Sequence, residues 1–241
     1  MNWPFIWIII TLGALVQGCI GIGLSLVAVP FLVLSHPELV PVPLMLAAFP
    51  LTLLTWFRER KAVHFPDMGW AVLGRVVGSA VGAWILIQLP KAWLEPTFGG
   101  MILLACGMSL LGPRFTPNRV NLVMAGVASG IMGTTIATGG PAMALVFQHI
   151  EGPRLRASMA VFLSLGILPS ILFLWLAGRL GTEEIVTGVW IIPAVLCGFL
   201  LSTHVKPILD KYQMIRPIIL IICCAGGLAL LRQTVLNVIF E

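Results

Sequence analysis

The sequence predicts an all-α polytopic membrane protein. It is read as two inverted repeats, each a Gly/Pro-broken re-entrant hairpin plus three transmembrane helices. Three observations predict this. Hydrophobic residues make up 59% of the 241 residues and charged residues only 10%, with a mean hydropathy of +1.05. The apolar runs are continuous and about 20 residues long, the length a bilayer-spanning helix needs. Two of the runs, in matching places of the two halves, are longer and are interrupted by glycine.

The same numbers exclude other classes. A soluble domain carries about 25% charged residues, so this chain cannot cover a water-facing surface. The net charge is +5, but its basic residues are scattered between apolar runs, not gathered on one stripe, and nucleic acid is not an expected partner. An outer-membrane barrel would show alternating segments of about 10 residues; these runs do not alternate.

Eight apolar stretches follow in order, at about 4–34, 40–57, 68–89, 93–111, 120–148, 157–177, 185–202 and 215–236. Short polar connectors separate them, such as RERKAVHFPD (58–67) and EGPRLR (151–156). The opening MNWPFIWIII has no basic flank and no small-residue cleavage site, so it reads as the first membrane segment and not as a cleaved signal. The five cysteines all lie inside apolar runs and form no CxxC pair. No cofactor and no metal are expected.

The first and fifth stretches hold the breaks. The first contains GCIGIG at 18–23, then Pro30; the fifth contains GIMGTTIATGGP at 130–141. Glycine populates positive φ and weakens helix interiors, and proline breaks them. Each stretch therefore reads as two half-helices of about 14 residues around a non-helical turn. A half-helix of that length rises roughly 21 Å, enough to reach the midplane of a ~30 Å core. The alternative is that the glycines only permit close helix packing.

The two halves, 1–112 and 113–241, share further pattern. Gly18 and Gly21 match Gly130 and Gly133. Pro50 precedes Trp56 as Pro169 precedes Trp175, and GSAVG (78–82) parallels AVLCG (194–198).

Charge bias tests the topology. With eight full spans, Lys and Arg divide seven inside to six outside. With the first and fifth stretches re-entrant, Arg58, Arg60, Lys61, Arg114, Arg119, Arg154, Arg156, Lys206, Lys211 and Arg216 lie inside. Only Lys91, Arg179 and Arg232 then lie outside, ten against three, with Arg75 left out of both counts. The positive-inside tendency favours the re-entrant arrangement. Three spans per half invert the second half relative to the first. Short Gly/Pro-interrupted segments in matching places of two such halves mark the substrate site of inverted-repeat transporters.

The candidate substrate-binding residues come from these breaks. They are Gln17, Gly21, Gly23 and Ser25 in the first, and Gly133, Thr134, Thr135, Thr138, Gly139, Gly140 and Gln148 in the second, with Arg75 from the third stretch. Helix N-termini and free N–H groups suit a small oxyanion. Arg75 is the basic residue well inside an apolar run; such residues are functional candidates, although long basic side chains also snorkel. Thr52, Thr55, Ser164 and Ser170, near Pro50 and Pro169, are further cavity candidates. His149 flanks the second hairpin. Arg154 and Arg156, at its mouth, read either as anion attractors or as ordinary positive-inside charge. No GxSxG, HExxH or paired intramembrane carboxylates occur, so no catalytic residues are expected.

The first break, GCIGIGLSLVAVP (18–30), and the second, SGIMGTTIATGGPAMALVFQ (129–148) followed by RLRASMAVF (154–162), resemble the sulfite exporter TauE/SafE family across essentially the whole chain. The matching positions are Gly18, Gly21, Gly23, Pro30, Gly130, Gly133, Gly139, Gly140 and Pro141. The resemblance implies a multi-pass permease of the bacterial inner membrane with two related halves. It also implies small sulfur-containing anions as substrates, such as sulfite, sulfoacetate or other sulfonates. Leu24 and Ser25 stand where the family often has more glycines. Cys19 has no cysteine counterpart, Ile131 standing at the matching place, which argues against a paired-thiol mechanism. The expectation is alternating-access transport of such an anion, with lipid as surroundings and a homodimer as a possible assembly. An anion channel is the alternative, and a membrane-embedded enzyme or assembly factor a more distant one.

Overall fold

The computed structural model describes residues 2–63, 68–89, 94–111, 115–147 and 152–209. The eighth apolar stretch, 215–236, lies outside the described residues, as do Gln148 and His149. Among the described residues the chain is helical throughout: α1 Trp3–Ile20, α2 Leu24–Ser35, α3 Val42–Glu59, α4 Met68–Gln88, α5 Leu94–Leu111, α6 Arg119–Ile136, α7 Gly140–Val146, α8 Gly152–Leu176 and α9 Thr182–Leu209. Four of them are long and apolar enough to cross a membrane: α1, α4, α8 and, over Thr182–Lys206, α9. Many of their large apolar side chains face outward, among them Leu73, Val77, Trp84, Trp175 and Trp190. Such a surface suits lipid, not water.

Both expected breaks interrupt helix. The first falls at 21–23, where Gly21 (φ 94°) ends α1 and Gly23 (φ 146°) starts α2. These two left-handed positions are where glycine is required. The second falls at 137–139, between α6 and α7. Here Ala137 takes the left-handed position (φ 55°). Gly130 and Gly133 stay helical.

The arms are unequal, against the expected half-helices of about 14 residues. α1 and α6 have 18 residues each and rise about 27 Å. α2 has 12 and α7 has 7, rising about 18 and 10 Å. The long arms persist because their internal glycines are packing positions. An added Cβ at Gly18 would strike Ser202 of α9, and one at Gly130 would strike Gly78 of α4. At each break the chain then doubles back. Leu24 lies against Gly13, and Gly139 lies against Ser129.

Two helix pairs dominate the packing, α4 with α6 and α1 with α9. Both rely on small residues spaced by four, which let backbones touch. In the first pair, Gly74 and Gly78 face the carbonyls of Val123 and Val127, while Gly126 and Gly130 face the backbone of Ala71, Arg75 and Gly78. In the second, Gly198 faces Thr11 and Ala14, and Thr11 Oγ1 donates to Ala194 O at 3.1 Å. α3 packs on α8 and α9, and α8 on α3 and α4. Proline sits inside both α3 (Pro50) and α8 (Pro169). The main apolar core runs through α1, α2, α3 and α9.

Candidate functional site

The two breaks meet. Ser25 Oγ, in the first turn of α2, donates to Ala137 O in the second break at 2.5 Å. An added Cβ on Gly140 would touch Ile22. Between them lies a cavity of about 40 Å³, room for more than one water-sized group. Of the candidate residues, Gln17, Gly23, Ser25, Arg75, Gly133, Thr138, Gly139 and Gly140 line it. Thr52 lines it too, from α3, with apolar neighbours that include Leu26, Met45, Ala48, Leu163 and Ile167.

The other described candidates lie elsewhere. The Gly21 N–H donates to Gln17 O at 2.7 Å, closing the last turn of α1, and the residue abuts Arg156. Thr134 Oγ1 donates to Ser170 Oγ at 2.8 Å, bridging α6 to α8, and Ser170 in turn meets Ser79 at 3.0 Å. Thr135 Oγ1 bonds back to Ile131 O at 2.8 Å. Thr55 and Ser164 likewise bond back within their own helices. The sequence pattern puts Thr134 and Thr135 in the break because Gly133 precedes them; the helix runs on to Ile136 and buries them.

Arg75 is the centre of the site. It is 2% exposed and crosses from α4 towards the second break. Its Nη1 donates to Ser129 O at 2.6 Å and to Ser129 Oγ at 2.5 Å; Ser129 Oγ donates onward to Gly139 O. The guanidinium lies 5.6 Å from the Phe162 ring centroid, within cation–π range. Gly133, Gly139 and Gly166 form its cradle, since a Cβ on any of them would collide with the guanidinium. Nε has no hydrogen-bond partner. Arg75 is absent from every ion pair among the described residues. A buried cation with neutral partners alone is electrostatically incomplete.

Gln17 answers a local need as well. Its Oε1 accepts the N–H of Leu24 at 3.0 Å, capping the start of α2 where free donors would otherwise face the core. The hydroxyls of Ser25, Thr52 and Thr138 all donate to backbone carbonyls. They therefore show lone pairs, not protons, to the cavity.

A second charged cluster, missed by the sequence reading, holds the end of α1. Glu59 Oε1 receives Arg156 Nε at 3.2 Å and Lys206 Nζ at 2.5 Å, with Arg58 Nε at 3.8 Å. Arg58 donates to Gly18 O and, at 3.0 Å, to Ser202 Oγ; Arg156 Nη1 donates to Cys19 O at 3.2 Å. Cations suit the last carbonyls of a helix. Arg156 is thus buried against the first break, whereas Arg154 is exposed; residues 148–151, which end the second hairpin, lie outside the described residues. Arg58 and Glu59 also line an open surface pocket with Arg60 and Lys61.

This is a multi-pass helical membrane protein with a small polar cavity where two helix breaks meet. The family model for the sulfite exporter TauE/SafE matches residues 6–230. The chain belongs to that family, and so to a class of membrane transporters. No curated protein and no solved structure matches it.

Proposed function

We propose that this protein is a permease or exporter that moves a small sulfur-containing anion, such as sulfite, sulfoacetate or another sulfonate, across the bacterial inner membrane by alternating access. The observation that carries the reading is Arg75: a buried guanidinium without an acidic partner among the described residues, set in the wall of a cavity between two helix breaks. A bound anion supplies the missing charge. Gln17 and Thr138 border the same space, and Gly133 and Gly139 leave room for the guanidinium that would meet the anion.

The two-repeat reading is supported by packing. If α1, α2, α3 and α4 correspond to α6, α7, α8 and α9, the α4–α6 and α1–α9 pairs exchange. So do the α3–α9 and α8–α4 contacts. Two related halves around a central site are the frame that alternating access uses.

The test is thermal stabilisation of the detergent-purified protein by sulfite, sulfoacetate, taurine, thiosulfate, sulfate, phosphate and chloride, followed by flux in proteoliposomes. A ligand that binds only the folded state raises apparent stability with concentration. The expected result is a shift with sulfite or a sulfonate, absent with phosphate and chloride, and lost in Arg75→Gln. No shift with any of these anions would remove the basis for the reading.

A further inference from the structure

Resting on that reading, we infer that the site takes its cargo as a monoanion, so that sulfite crosses as bisulfite and brings its own proton, and sulfoacetate, a dianion at neutral pH, drops out of the proposed substrates. Two independent features carry this. The first is charge. Among the described residues Arg75 is the one cation lining the cavity, and a guanidinium stays charged in a protein. One negative charge neutralises it. A dianion leaves a second charge buried without a partner, which a site of this kind rejects.

The second is the polarity of the lining. The protons of Ser25, Thr52 and Thr138 are committed to the carbonyls of Ala137, Phe49 and Ile136, at 2.5, 2.8 and 3.0 Å. What these hydroxyls offer the cargo is lone pairs. Lone pairs repel an extra anionic oxygen and accept from an S–OH or S–H group. A protonated oxyanion satisfies both Arg75 and this ring of acceptors; a fully ionised one satisfies only the arginine.

Among the described residues, no protein group near Arg75 supplies an alternative proton. α1, α2 and α7 contain no acid, histidine or cation. α4 contains Arg75 alone. α6 contributes Arg119, which stacks on Trp70, and α8 contributes Arg154, which is exposed, and Arg156. On α3, Arg58 and Glu59 are joined to Arg156 and Lys206 at the end of α1. None of these other charged groups lines the cavity. The facing residues from α6, α8 and the second break are Ser129, Gly133, Gly139, Phe162 and Gly166.

The experiment compares two ligands on the full-length wild-type protein. Sulfite loses its last proton near neutral pH, whereas methanesulfonate is a monoanion throughout. Binding is measured calorimetrically from about pH 6 to about pH 9, with sulfate as the dianion control. The apparent sulfite affinity is expected to fall at least about tenfold across this range, following the bisulfite fraction. Methanesulfonate should change less than about twofold, and sulfate should bind at least about tenfold more weakly than methanesulfonate at both ends. In proteoliposomes, sulfite flux should move one proton per anion and methanesulfonate flux none. Sulfite affinity that is flat or rises with pH, or sulfate binding equal to methanesulfonate, would overturn the monoanion rule while leaving the anion site standing. Binding of neither sulfite nor methanesulfonate at any pH would overturn the site itself, and the rule with it.

Discussion

The two breaks solve one problem with different chemistry. Each ends a long helix, doubles the chain back and leaves helix carbonyls and N–H groups to be satisfied inside the membrane. At the first break, left-handed glycines make the turn and Gln17 caps the outgoing helix. Cations from α3 and α8 take the carbonyls of Gly18 and Cys19, and Glu59 neutralises part of their charge. At the second, an alanine makes the turn, Ser129 ties it to α6, and the cation comes from α4 without a carboxylate. The first break holds a carboxylate among its cations. The second holds none among the described residues, and its cation faces the cavity. On the proposed reading, similar backbone devices serve as anchor at one break and as receptor at the other.

The largest test of this contrast is at Arg75. Arg75→Gln should weaken anion affinity about a hundredfold, the scale of losing one partner of a buried charged pair, as read by ligand-induced thermal shifts. Arg75→Lys should recover little, because an ammonium cannot reproduce the fork that reaches Ser129. Gly139→Ala should imitate the loss by displacing the guanidinium. Gly69→Ala, where an added Cβ meets nothing, is the silent control.

Next comes the first break. Glu59→Gln leaves Arg156 and Lys206 without this shared carboxylate and should lower stability by roughly 3 kcal/mol, seen as a fall in melting temperature without ligand. The partly exposed Lys206 should matter less; Lys206→Met is expected to change stability by about 1 kcal/mol at most. If Glu59→Gln weakened anion binding as strongly as Arg75→Gln, the division into anchor and receptor would be broken.

Smaller effects sharpen the local geometry. Gln17→Ala removes the acceptor for the Leu24 N–H and should cost about 1–2 kcal/mol, with a further loss in anion affinity if its amide also faces cargo. Ala137→Gly relieves a left-handed alanine and should stabilise by about 0.5 kcal/mol, read as a rise in melting temperature without ligand.

Much of this architecture is written locally. Residues 18–23 and 130–141 announce a break because only certain residues tolerate the needed backbone, and Arg75 announces itself as a charge inside an apolar run. What is not local is harder to read. Gly18, Gly130 and Gly133 look like turn residues, yet they are flat faces for neighbouring helices or for the Arg75 guanidinium. Ala137, which does turn the chain, carries no signal of its own. The Glu59 cluster joins residues 97 and 147 positions apart, and each member alone reads as ordinary loop charge. Periodicity and glycine content report what a segment does to itself; they do not report which carboxylate meets which guanidinium after folding.

The glycine seams have a mechanical consequence. Where backbones touch, as Gly78 and Gly130 do, two helices cannot slide without collision. α4 with α6, and α1 with α9, therefore behave as two struts, each welded from one helix of either half. If the protein works by the alternating access proposed above, its cycle of opening and closing does not run through the welds. On that reading it is taken up along α3 and α8, which pack on each other and on α9 and α4 and carry Pro50 and Pro169 in their interiors. Fastening the struts internally leaves such a machine free to move; fastening α3 to α8 stops it.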